Sequence, residues 1–199
     1  MRRSTLVPLA GCFALAVMGA TPAQAAPPEE HDNYSVDLNE LLPTAEDVAE
    51  GITDFCGLVD VPLTGHVEGV FKQQIRGNSE FPYFSDTFRG TFVYTNPDTG
   101  LTFTVVTRVN SKDLHVVDNG DGTLTITGLV SGTQSVYGPD GELLFTDHGL
   151  VSDTFLVDNN DTVDPSDDEF VDIIDTKVAG PHETFDRDFC ADFLEFTAG

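Results

Sequence analysis

The chain has 199 residues, of which 34 are Asp or Glu and only 9 are Lys or Arg, giving a net charge of −25. Binding to a phosphate backbone requires clustered Lys and Arg, so this composition excludes nucleic acid as a partner. The same negative charge disfavours adsorption to anionic membrane surfaces, and it keeps a secreted protein well hydrated.

The first 25 residues have the composition of a cleavable secretory signal peptide. Arg2 and Arg3 carry its only charges, residues 6–20 are uncharged and mainly apolar, and residues 23–25 (AQA) provide a small-x-small cleavage site. The apolar run is shorter than the roughly 20 residues that cross a bilayer. The sequence therefore predicts a secreted, extracellular protein without a membrane span. The alternative is a lipoprotein anchored at Cys12, because residues 9–12 (LAGC) match a bacterial acylation site.

The cysteine count supports removal of this segment. The chain has three cysteines, and loss of Cys12 leaves Cys56 and Cys190 as an even pair in an oxidising compartment. Neither cysteine lies in a CxxC motif or beside a histidine. We therefore predict a structural disulfide between Cys56 and Cys190.

Residues 26–40 are predicted to form a flexible acidic leader, because their first part (APPEEHDN) is rich in Pro and acids and offers little to bury. A single antiparallel β domain is predicted over residues 41–199, beginning with a short helix. Thr44 is a suitable N-cap for this helix, and Gly57 is predicted to end it. Acids in the first turn and apolar residues on one face favour the same helix: Glu46, Asp47, Val48, Ile52 and Phe55.

From Val61 onward, apolar and polar residues alternate as they do in β-strands. Short strands are predicted at 61–75, 87–95, 101–109, 114–117, 124–130, 134–137, 143–145 and 150–157, separated by turns such as NPDTG, DNGDG and GPDG. Residues 170–178 fit a strand or a helix, and the apolar residues 189–196 are predicted to dock near the first strand. This pattern favours a mainly β fold, namely an antiparallel β-barrel with a short N-terminal helix, with a β-sandwich as the alternative.

Several of these segments resemble a group of small secreted actinobacterial proteins. The resemblance rests on the turns TNPDTG and DNGDGT, the segment VYGPDGEL, the loop DPSDDEF and the cysteines near both ends. It covers most of the chain after the signal peptide and implies an extracellular β-fold without a particular chemistry. The predicted architecture is also similar to lipocalin-type and allene oxide cyclase-type barrels, which is an analogy of architecture alone.

The acidic loop 158–169 is the candidate metal site. Ca²⁺ prefers carboxylate and amide oxygens, and the predicted ligands fall at positions similar to those of a twelve-residue calcium loop: Asp158, Asn160, Asp164 and Glu169. Val163 stands where such loops have their sharp-turning Gly, and no flanking helices are predicted. The alternative interpretation is a solvated acidic turn without a bound ion.

No GxSxG, HExxH or CxxC motif is present, which removes the usual signals for hydrolases, zinc proteases and thiol redox enzymes. Arg89 and Arg108 lie on neighbouring predicted strands, where they either hold an acidic ligand or form surface ion pairs. We expect a secreted protein that binds a small apolar ligand or an extracellular partner. The alternative is an extracellular enzyme with a histidine, His66 or His115, beside a carboxylate in the barrel mouth.

Overall fold

The computed structural model describes residues 30–49, 51–183 and 187–199. The predicted signal peptide, Cys12 and residues 26–29 of the predicted leader lie outside the described residues. In the part of the chain that is described, no helix has both the length and the apolar character needed to cross a membrane.

Seven antiparallel strands form one sheet, and each strand pairs with the next one along the chain. The strands are β1 Glu30–Leu42, β2 Val61–Ile75, β3 Pro82–Thr95, β4 Thr102–Asp118, β5 Thr123–Tyr137, β6 Leu143–Asp158 and β7 Glu169–Ala179. Two α-helices, α1 Ala45–Ala49 and α2 Phe189–Phe196, and a 3-10 helix, Pro165–Asp167, accompany them. The prediction of a mainly β fold is confirmed.

The sheet is open, because its edge strands β1 and β7 do not pair with each other. Barrel closure is therefore not confirmed, and the described strands form one sheet rather than the two sheets of a sandwich. Acidic side chains lie along both edge strands: Asp32, Asp37 and Glu40 on β1, and Glu169, Asp172 and Asp175 on β7. Repulsion between these like charges opposes pairing of β1 with β7.

Strand β1 corrects the prediction of a flexible leader over residues 26–40. Residues 30–42 form a regular antiparallel ladder with β2 that ends at the pair Leu42↔Val61. Tyr34, Val36 and Leu38 follow a two-residue period, a strand signal that the acidic composition obscured. The folded domain therefore includes residues 30–40 in addition to the predicted range.

Strands β4, β5 and β6 are each longer than predicted, because each joins two predicted short strands. In β4 the ladder with β5 continues from Thr104 to Asp118 across a register shift between Asp113 and His115. Polar residues interrupt the alternation there, but backbone hydrogen bonds do not depend on side-chain polarity. The ambiguous segment 170–178 is also a strand, lying within β7.

Helix α1 is shorter than predicted and ends at Ala49, before Ile52 and Phe55. The predicted cap is confirmed: the Thr44 hydroxyl accepts a hydrogen bond from the Asp47 N–H at 3.2 Å, and the Thr44 N–H donates to Asp47 Oδ2 at 2.7 Å. None of the residues of α1 is buried. A helix this short gains little stability without an apolar face to pack. It therefore ends at Ala49, although the apolar residues predicted for its face continue to Phe55.

An apolar cluster lies at one end of the sheet, and α2 covers it. Its buried residues are Leu42, Val61, Leu63, Phe103, Val105, Val136 and Phe193. Phe193, on α2, is fully buried, and its ring lies 6.1–6.4 Å between centroids from the rings of Phe55, Tyr94 and Phe103. The C-terminal segment thus docks on the sheet, as predicted.

Two further contacts fasten the C-terminal segment. The predicted disulfide between Cys56 and Cys190 is present and joins α2 to the segment before β2. Beyond α2, the buried Thr197 accepts a hydrogen bond from Asn96 Nδ2 at 3.0 Å. These contacts hold α2 against the end of the sheet.

A second, smaller apolar cluster lies at the other end of the sheet. Its buried residues are Phe81, Leu124, Ile126 and Val157. The middle of the sheet, between the two clusters, is less buried and holds the candidate site described next.

Candidate functional site

A groove of about 970 Å³, open to solvent, crosses strands β1–β5. Each strand contributes three consecutive residues to its lining: 33–35, 68–70, 87–89, 108–110 and 131–133. The groove lies between the two apolar clusters along the strands. Most of the groove is open to solvent, whereas typical small-ligand pockets enclose most of the ligand surface.

The central residues of these five segments form one row across the sheet. They are paired in register from strand to strand: Tyr34, Gly69, Phe88, Val109 and Gly132. Because side chains alternate between the two faces of a strand, the row shares a face with the apolar cluster under α2. We refer to these five residues as the central row.

The glycines of the central row allow neighbouring groups to approach the sheet closely. A Cβ at Gly69 would lie 2.6 Å from the hydroxyl oxygen of Tyr34, and one at Gly132 would lie 2.2 Å from the carbonyl oxygen of Arg108. Both distances are shorter than non-bonded contacts allow. Glycine is therefore required where bent neighbouring strands and the Tyr34 ring approach so closely.

Tyr34, which lines the groove, forms a hydrogen-bonded pair with Asp86, which precedes the lining segment 87–89. The Tyr34 hydroxyl donates to the Asp86 carboxylate, at 3.0 Å from Oδ1 and 2.9 Å from Oδ2. Burial raises the pKa of Asp86, although hydrogen bonds from Tyr34 and from the Thr87 backbone act in the opposite direction. Burial and the nearby carboxylate raise the pKa of Tyr34, so the phenol stays protonated at neutral pH.

Replacing Tyr34 with Phe is expected to lower the free energy of unfolding by about 1 kcal/mol at pH 7. This value is smaller than the usual contribution of a hydrogen bond to a charged group, because the Tyr34–Asp86 pair is partly exposed to solvent. The hydroxyl stabilises the ionised carboxylate, so its contribution is lost as the pH falls through the pKa of Asp86. Urea unfolding at neutral and acidic pH measures both values. Tyr137→Phe is the control, because the Tyr137 hydroxyl has no hydrogen bond within the described residues. An equal loss at both pH values would contradict this role for Tyr34.

A second carboxylate with a raised pKa, Asp113, lies further along the same sheet face. Its Oδ2 accepts a hydrogen bond from the Phe84 backbone N–H at 2.7 Å, and its carbonyl oxygen accepts one from Arg76. Burial raises the pKa of Asp113, while the Phe84 N–H and the charge of Arg76 act to lower it. Perturbed carboxyls in a concave region are typical of binding or catalytic sites. Asp113 also has a structural role, since it precedes the β4 register shift.

The two arginines of the groove do not share the face of the central row. Arg89 and Arg108 are direct cross-strand partners, and both alternate to the opposite face from Phe88 and Val109. Arg89 pairs with Glu68, so the predicted surface ion pair is confirmed there. Within the described residues, Arg108 has no ion pair. The structure does not bring these arginines to a ligand lying on the central row.

The histidine–carboxylate contact of the enzyme alternative also lies on that opposite face. His66 Nδ1 is 2.7 Å from Asp37 Oδ1, and His66 Nε2 is 3.5 Å from Ser35 Oγ. A catalytic triad relies on a buried carboxylate, whereas the Asp37 side chain is 90% exposed. His115 lies two strands away, on β4 beyond its register shift, so the two histidines are not brought together.

The predicted calcium ligands are placed close along the chain but are used in local hydrogen bonds. Asp158 Oδ1 accepts from the Asn160 N–H at 2.9 Å, and Asp164 Oδ1 accepts from a backbone N–H of the 3-10 helix at 3.0 Å. The Asn160 side chain donates to the Asp167 carbonyl oxygen. Glu169 begins β7, where it pairs with Asp158.

The loop concentrates negative charge without assembling a metal cage. Burial, followed by the charges of Asp167, Asp164 and Asp158, raises the pKa of Asp168 to about 6. Within the described ranges, no group of three or more His, Cys, Asp or Glu side chains is arranged to hold a metal ion. Calcium binding by residues 158, 160, 164 and 169 therefore stays a prediction.

Sequence reasoning did not identify Tyr34 and Asp86 as site residues. Tyr34 falls within the predicted leader, and Asp86 precedes the predicted start of its strand at Thr87. Gly69, on an apolar strand face, was the usable signal, because a strand glycine often marks a close approach of a neighbouring group. Tyr34, the residue that approaches Gly69, donates a hydrogen bond to Asp86, which lies 52 residues away along the chain. Patterns among neighbouring residues do not contain that pairing.

Comparison with protein-family models, with curated proteins and with solved structures gave no match to this chain.

Proposed function

We propose that this protein is secreted and that it binds a small, largely apolar ligand in the groove across β1–β5. The observation that carries the proposal is the central row, where Tyr34, Phe88 and Val109 line the open groove and Gly69 lets the Tyr34 ring lie close against the sheet. The disulfide and the predicted signal peptide support a location outside the cell.

The polar part of the ligand is proposed to be a hydrogen-bond donor. The Asp86 carboxylate lies next to the lining segment 87–89, where it offers acceptor oxygens, and the Tyr34 hydroxyl of the lining donates to it. An uncharged donor such as a hydroxyl or amine N–H would bind this carboxylate without adding negative charge to an acidic protein. A ligand with an acidic head group is disfavoured, because the arginines lie on the other face.

The enzyme alternative receives less support from the geometry. Its His66–Asp37 contact is exposed and lies on the face opposite the central row. The raised pKa values of Asp86 and Asp113 are accounted for by burial, which a binding groove also produces. The geometry therefore supports a binding function better than a catalytic one.

The proposal is tested by titration with N-phenyl-1-naphthylamine, an apolar fluorescent probe with one N–H donor. We expect saturable fluorescence enhancement by the wild-type protein. Val109→Phe fills the groove and is expected to weaken binding at least tenfold, a cost of about 1.4 kcal/mol. Native mass spectrometry of the same samples gives the stoichiometry.

The matched control is Val106→Phe, which makes the same change on β4 but on the opposite sheet face and outside the groove lining. Its affinity is expected to stay close to that of the wild type. Thermal unfolding of both variants checks that they are folded. Absence of saturable binding, or equal affinity in the Val109→Phe and Val106→Phe variants, would overturn the proposal.

A further inference from the structure

Strand β7 exposes apolar side chains at one edge of the sheet. All eleven of its residues are exposed, including residues that point to both faces. Five of them are large and apolar, with exposures of 65% for Phe170, 51% for Val171, 48% for Ile173, 57% for Ile174 and 40% for Val178. An exposed, apolar edge strand is a template for pairing with another strand.

The opposite edge is different in composition. Strand β1 contains acids and no Lys or Arg, and its exposed large apolar residues are Val36 and Leu41. Strand β7 is the edge that contains a cation, Lys177, which pairs with Asp175 at 3.0 Å. Pairing of β7 with β1 of another molecule would bring seven acids together with one Lys, whereas pairing of two β7 strands brings six acids together with two Lys.

We propose that β7 pairs with β7 of a second copy of this chain, in antiparallel orientation about a two-fold axis at Ile173. This arrangement places Glu169 of each copy opposite Lys177 of the other, giving two ion pairs. It also brings the two Ile173 side chains together and joins the sheets of the two copies into one. Two-fold contacts of one surface with itself are the commonest form of protein dimer.

The length of β7 is sufficient for such a contact. Eleven residues span about 36 Å at the rise of a β-strand, although register shifts against β6 leave Val171 and Ile174 as bulged residues of β7. Pairing therefore provides an interrupted ladder of main-chain hydrogen bonds together with apolar burial. The net charge of −25 on each chain opposes association. Screening by salt weakens this long-range repulsion, so the dimer is expected to become tighter at high ionic strength.

Analytical ultracentrifugation of the purified protein tests the proposal at about 0.1 M and about 1 M NaCl, where the Debye length is about 10 and 3 Å. The wild type is expected to dimerise, and more tightly at the higher salt concentration. Ile174→Lys is expected to raise the dimer Kd at least tenfold. Val36→Lys, the same type of change on the edge strand β1, is expected to leave the Kd within a factor of about two.

A charge exchange tests the register. Lys177→Glu should raise the Kd, and the double variant Glu169→Lys/Lys177→Glu should restore it. Thermal unfolding of each variant confirms that the monomer fold is kept, which is expected because the replaced side chains are exposed. A protein that stays monomeric at both salt concentrations, a dimer equally sensitive to Val36→Lys, or a double variant as weak as Lys177→Glu would overturn the proposal.

Discussion

Replacement of both Cys56 and Cys190 by alanine is expected to lower the free energy of unfolding by about 4–5 kcal/mol. The bridge joins residues 134 positions apart, so it removes a large amount of conformational entropy from the unfolded chain. Domains of this size are stable by only about 5–15 kcal/mol. The variant should therefore lose a large share of its stability, as measured by urea unfolding at equilibrium.

The reduced wild-type protein provides the matched comparison, because it loses the bridge and keeps both side chains. It should unfold at nearly the same urea concentration as the double alanine variant. The single variant Cys56→Ala should resemble both, since either change removes the crosslink. Equal midpoints for the oxidised and reduced wild type would contradict a stabilising role for the disulfide.

Replacement of Phe193 by alanine is expected to lower the free energy of unfolding by about 3–5 kcal/mol. Phe193 is fully buried and contacts aromatic rings from β3, β4 and the segment before β2. Its removal leaves a cavity between α2 and the sheet that the surrounding strands cannot fill. Thermal and urea unfolding measure the loss.

Leu194→Ala is the control for Phe193→Ala, because it removes a neighbouring apolar side chain of α2 that is 38% exposed. Its cost is expected to be below about 1 kcal/mol. Similar losses for the two variants would show that helix propensity, rather than packing of Phe193, dominates the effect.

The pattern of residues along the chain determined the local structure of this protein. Two-residue alternation predicted most of the strands, and the turn glycines Gly100 and Gly141 adopt the positive φ values that their motifs require, +73° and +77°. The cysteine count predicted the Cys56–Cys190 bridge. These features depend on near neighbours or on simple pairing, which a single sequence contains.

Strand length and the extent of the sheet depended on neighbouring strands. Residues 30–42 carry many acids and few apolar side chains, yet they form β1 because β2 offers a complete ladder of backbone partners. In the same way, β4 continues through Lys112 and Asp113, where the apolar alternation stops. Backbone hydrogen bonds from an adjacent strand outweigh weak local preference.

The open edge and the candidate site were decided by the tertiary structure alone. Whether β1 pairs with β7 depends on the curvature of the sheet and on the charges of these two edge strands. The contact of Tyr34 with Asp86 requires a register across β2 in which Gly69 lies between them. Alternation along the chain states which side chains share a face of one strand. It does not state which residues of distant strands become neighbours, because that choice depends on the packing and electrostatics of the whole sheet.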